Sequence, residues 1–130
     1  MKKTIELKTI TDDEGYATSP TLPDGIKNYL IDIDGTIAEV NQPPYENDKL
    51  LPGVKEMWAQ IPKDDMIVIM TARPKDIQEQ TLQFIKDNGL HYHLAIFGVH
   101  HGERIVVNDN KPGGLQTAIA WNVKRNKGYN

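Results

Sequence analysis

The chain has 130 residues, 38% of them apolar and 25% charged, which suits one domain around a single packed core. Its net charge of −3 offers no global attraction to nucleic acid or to an anionic membrane. It has no cysteine, which excludes disulfides and thiolate chemistry and fits a reducing, cytoplasmic setting.

No apolar stretch approaches the roughly 20 residues that span a bilayer. The start Met1-Lys2-Lys3-Thr4 is basic, but Glu6 and Lys8 interrupt any signal-peptide core. Along the chain, Ile5-Glu6-Leu7-Lys8 alternates briefly as a short edge strand would. Thr11 to Gly25 carries Asp, Glu, Gly, Ser, Thr and two prolines and reads as loop. Ile26 to Ile33 is predicted as a strand, and Pro43-Pro44 breaks the segment after it. Val54, Met57, Trp58 and Ile61 recur at helical spacing, with Pro62 as the stop.

Met66-Ile67-Val68-Ile69-Met70 is wholly apolar, as a strand buried on both faces of a parallel sheet would be. A helix is predicted after Pro74, with Ile77, Thr81, Phe84, Ile85 and Asn88 on one face and Gly89 at its end. Leu94 to Phe97 and Ile105-Val106-Val107 are predicted as further strands. Leu115 to Val123 alternates in a way that favours a strand over a helix. The order of elements predicts an α/β, Rossmann-like three-layer domain with a mainly parallel central sheet. Residues 1–25 form an N-terminal arm, 26–112 the core and 113–130 a C-terminal extension.

Chemistry gathers where these strands end. Asp32-Ile33-Asp34-Gly35-Thr36 closes the strand predicted from Ile26 with two carboxylates on one side of the chain. Gly35 then allows a sharp turn. Carboxyl ends of parallel strands are where open α/β folds bind ligands. There the sequence also places Thr71 with Arg73, and Asn108 with Asp109. Alone, Asp32 and Asp34 would read as a turn held by Asx hydrogen bonds, yet two acids there are costly to desolvate without a partner. Thr71 alone would be a helix cap, and Arg73 a salt-bridge residue at the edge of the site. His91 and His93 lack cysteine partners and read as exposed side chains rather than zinc ligands. His100-His101 precedes the last predicted core strand, near the site.

Asp-x-Asp-Gly-Thr, the apolar strand ending in Thr71, and Val106-Val107-Asn108-Asp109 resemble the first, second and fourth motifs of haloacid dehalogenase (HAD) superfamily phosphatases, in order, over about residues 26–112. The resemblance implies a HAD-like fold without a large cap domain, because neither usual insertion point has room for one. Tyr45, Glu46 and the N-terminal arm are candidate substitutes. It further implies a Mg²⁺-dependent phosphomonoester hydrolase. Asp32 would be the nucleophile, Asp34 the proton donor and acceptor, and Thr71 the phosphoryl hydrogen-bond donor. Mg²⁺ would lie among Asp32, Asp34, Asp109 and Asn108, with Gly35, Thr36, Ala72, Arg73 and His101 bordering the substrate.

Two departures stand out. Asn108 replaces one of two expected acids, and no Gly-Lys-Pro supplies the third-motif lysine. Lys111 is the first candidate for that cation, Arg104 the second, and His101 a stand-in. The expected partner is a small phosphorylated sugar, nucleotide or similar metabolite, with no membrane and with a homo-oligomer as one way to cover an open site. A catalytically degenerate domain that only binds a phosphorylated ligand or partner is the alternative. A polynucleotide 3′-phosphatase is a further one, which the acidic balance disfavours, although Lys124, Arg125 and Lys127 form a local basic cluster.

Overall fold

The computed structural model describes Leu22 and residues 24–129. Three strands, β1 (Asn28–Ile31), β2 (Met66–Met70) and β3 (Leu94–Ile96), form an open sheet in that order. All pair in parallel, Leu30 against Val68 and Val68 against Leu94. Helix α1 (Val54–Ala59) connects β1 to β2, and α2 (Gln78–Asp87), entered through a 3₁₀ turn at Lys75–Ile77, connects β2 to β3. This is a small α/β arrangement, as the element order predicts. The edge strand expected at Ile5-Glu6-Leu7-Lys8 lies outside the described residues.

Local signals explain the element ends. Gly53 caps α1 in the left-handed conformation, and Pro62 stops the chain from extending it. Pro74, with extended backbone, opens the turn into α2, and Gly89 at φ 70° ends it with its N–H on the Lys86 carbonyl. The helical periodicity also fixes the buried faces. Val54, Met57 and Trp58 of α1 and Ile85 of α2 join Ile31, Ile67 and Ile69 in one core cluster. Trp58 donates its indole N–H to the His91 carbonyl at 2.8 Å, so its buried polar atom is satisfied.

Two expectations meet a different structure. The apolar run of β2 predicts burial on both faces, but only Ile67 and Ile69 are fully buried, while Val68 and Met70 are half-buried and Met66 is exposed. Both helices contribute to the core on the Ile67/Ile69 side, so the described residues form two layers and the third expected layer is not seen among them. Among the described residues Leu30, Met66, Leu94 and Ile96 remain exposed on the other. The second is Ile105-Val106-Val107, which forms no strand and is 79%, 63% and 91% exposed. Residues 115–123 form neither strand nor helix, although Trp121 and Val123 rest against the core. β-branched alternation records a preference for extended backbone, but a strand also needs a neighbour to pair with.

Candidate functional site

The turn after β1 is built on one carbonyl. The N–H groups of Thr36, Ile37 and Ala38 all reach the Ile33 oxygen, at 3.1, 2.9 and 3.1 Å, and Gly35 N–H reaches the Ala38 oxygen at 2.7 Å. Ile33 and Ile37 are fully buried and anchor the turn. Alternation then aims Asp32 and Asp34 away from the core. Gly35 has φ 83°, which favours glycine, and a Cβ there would lie 3.0 Å from Arg125 Cγ. The two carboxylates stay reachable, with side chains 29% and 28% exposed.

Each is met by an arginine. Arg104 Nη1 lies 3.1 Å from Asp32 Oδ1, and the Thr36 hydroxyl donates to Asp32 Oδ2 at 3.3 Å. Arg73 holds Asp34 with two parallel bonds, Nε to Oδ2 at 3.1 Å and Nη2 to Oδ1 at 2.8 Å. Its other N–H groups go to Asp48, at 2.9 and 2.8 Å, and to the Thr81 hydroxyl at 3.2 Å. All five donors of the guanidinium are therefore used inside the protein. The Tyr45 ring lies over the guanidinium carbon at 4.2 Å. Gln80 fastens that loop to α2 by donating to the Pro44 and Tyr45 carbonyls. Burial opposes the Arg73 charge, but the hydrogen bonds and charges of Asp48 and Asp34 outweigh it, and its pKa lies above the ordinary arginine value.

The sequence reads Arg73 as a salt-bridge residue that borders the substrate; the structure gives it the salt bridges, to Asp34 and Asp48, and it positions Asp34. Sequence reasoning misses Asp48, whose side chain is only 4% exposed. Its one advance signal is the arginine itself. A strand-end arginine fully buried between helix and loop needs acids from both sides, but the chain gives no clue which acid answers it. Thr71 is fully buried, and its Oγ accepts the Arg73 N–H at 3.1 Å. Its backbone is tied to β3 and the loop after it, Thr71 N–H to the Ile96 oxygen and Val99 N–H to the Thr71 oxygen. Ala72 follows, half-buried, between the two.

Among the described residues Asn108, Asp109, Lys111 and His101 make no hydrogen bond or ion pair with these acids. Asn108 donates to the Thr117 hydroxyl, and that hydroxyl donates to the Asp109 carbonyl, in an exposed segment. Lys111 closes a local turn, its N–H on the Leu115 oxygen at 2.9 Å. His101 is exposed. Of the cations weighed for the missing lysine, Arg104 is the one with a contact to Asp32. His93 is exposed, as expected, but it is not idle: its Nδ1 accepts the Ile67 N–H at 3.0 Å. Among the described residues no three His, Cys, Asp or Glu side chains come together as a metal-holding group. As arranged, the acids do not make the set expected for Mg²⁺.

The C-terminal segment completes the surroundings. Asn126 donates its N–H to the Gly35 oxygen at 3.0 Å and accepts the Val40 N–H at 2.8 Å. Tyr129 is buried beside it, and burial first, then the charge of Asp32, raise its phenol above the ordinary value. A shallow cleft between α2 and residues 90–92 lies at the amino end of β3, away from these carboxylates. Compared with protein-family models, curated proteins and solved structures, the chain matches none.

Proposed function

We propose that this chain is a phosphomonoester hydrolase that works through an aspartyl-phosphate on Asp32, on a phosphorylated sugar, nucleotide or similar metabolite. One observation carries the reading: Asp32 and Asp34 stand at a parallel strand end, both reachable, one beside a guanidinium and the other fixed by one. Asp32 attacks phosphorus as the ester P–O bond breaks, and the leaving oxygen takes its proton from the protonated form of Asp34, in which one oxygen has left the Arg73 fork. Water then attacks the acyl-phosphate, Asp34 takes its proton, and phosphate leaves. Proton transfer of this kind contributes roughly 10²–10⁴ in rate. Arg104 supplies positive charge to the phosphoryl group, and Arg73 keeps Asp34 in place. Mg²⁺ dependence and a HAD-like fold come from the resemblance alone.

The test is phosphate release from p-nitrophenyl phosphate and a panel of sugar phosphates and nucleotides, with Mg²⁺ and with EDTA. Release that Asp32→Asn abolishes supports the reading, and loss in EDTA adds the metal. The placement of Asn108 and Asp109 on Thr117 favours one second reading, a domain that binds a phosphorylated ligand without turnover. Tight binding of phosphate esters with no release by the unaltered protein would select it.

A further inference from the structure

The segment ending at Tyr129 does more than cover the core. Three anchors hold it over the turn after β1: Asn126 N–H on the Gly35 oxygen, Asn126 Oδ1 on the Val40 N–H, and Tyr129 N–H on the Pro52 oxygen at 2.8 Å. Tyr129 also meets Trp121 edge-on at 5.2 Å. Gly128 lies so close to Pro52 that a Cβ would fall 2.1 Å from its carbonyl oxygen. Between these anchors the stem of Arg125 rests on Gly35, its Cγ 3.0 Å from where a Cβ would be.

The stem is thus fixed while the residue is exposed, and the Arg125 guanidinium has no hydrogen bond or ion pair among the described residues. Arg73 and Arg104 are both engaged with the site acids. Of Lys124, Arg125 and Lys127, Arg125 is the cation whose side chain touches this turn among the described contacts. A guanidinium offers a planar fork of donors that matches phosphate.

We propose that Arg125 selects substrates, favouring small phosphomonoesters that carry a second phosphate: the reacting group meets Asp32 and Arg104, and the other meets Arg125. This rests on the phosphatase reading and names its substrate class. The experiment compares kcat/KM for matched pairs, fructose 6-phosphate with fructose 1,6-bisphosphate, and adenosine 5′-monophosphate with adenosine 3′,5′-bisphosphate. Binding of the same pairs to Asp32→Asn is measured beside it.

The expected result is a preference of about tenfold for the bisphosphate in at least one pair, the size of a charged hydrogen bond. Arg125→Ala should bring the ratio close to one, and Arg125→Lys should keep part of it. Lys86→Ala, which removes a charge from exposed α2 surface, should keep all of it. Equal ratios in the unaltered protein, or a preference that survives Arg125→Ala, would overturn the proposal. If nothing turns over, but Asp32→Asn binds the bisphosphate more tightly and Arg125→Ala abolishes that, the phosphatase reading fails and the recognition stands. No preference in binding or turnover sinks both.

Discussion

Arg73 is the residue on which the site's geometry turns. Five N–H groups reach two carboxylates and a hydroxyl from three parts of the chain, residues 34, 48 and 81. A partner removed from such a buried set leaves charge unbalanced, which costs about 3–5 kcal/mol. Arg73→Ala is therefore expected to lower stability by that order in denaturant unfolding. Arg73→Lys should recover only a minor part, because an ammonium cannot form two parallel forks. Asp48→Asn keeps the shape and removes the charge, and should cost about 1–3 kcal/mol. A variant at Asp48 no less stable than the parent would show that the fork is not needed. At this scale the sequence is informative about the actors and silent about their pairing. Asp32, Asp34, Thr71 and Arg73 stand out because strand-end acids and hydroxyls break an apolar run. Asp48 sits in a polar loop like any other, and only tertiary packing brings it to the arginine.

Among the elements, the strands and helices with a clear period are legible in the chain. β1, β2, β3, α1 and α2 all lie inside their predicted spans. Ile105-Val106-Val107 is not, because its apolar run is the same whether or not an edge is there to receive it. The C-terminal segment is harder still, since its anchors are single backbone hydrogen bonds and a glycine contact that leave no periodic trace. Gly128 gives its test. It has φ 73° and a Cβ position 2.1 Å from a carbonyl oxygen, so Gly128→Ala must displace the segment from Pro52. The expected loss is about 1–3 kcal/mol, with Trp121 fluorescence reporting the change. An alanine variant with unchanged stability and fluorescence would mean that the contact carries no weight.

Over the whole molecule, half-buried Tyr29 and buried Tyr129 are expected to set the alkaline limit. Burial first, then the charge of Asp65, push the Tyr29 phenol up to about 12, and Tyr129 is raised as well. The folded chain keeps these protons where the unfolded chain, at about 10, releases them. Stability from this source is full below that pH and is lost as pH rises towards 12. The denaturant midpoint should therefore fall between neutral pH and about pH 11, and Tyr29→Phe should flatten that fall. The substitution should cost little at neutral pH, because Tyr29 Oη has no well-formed hydrogen bond to lose. An unchanged slope would show that Tyr29 does not set the limit.

The functional account stands on the phosphorylation of Asp32. The measurement is rapid acid quench during turnover of p-nitrophenyl phosphate, followed by peptide mass spectrometry. A phosphoryl adduct on the peptide holding Asp32, absent from Asp32→Asn and present in Arg125→Ala, is the predicted result. Phosphate release with no adduct, or an adduct on another residue, would contradict Asp32 as the nucleophile.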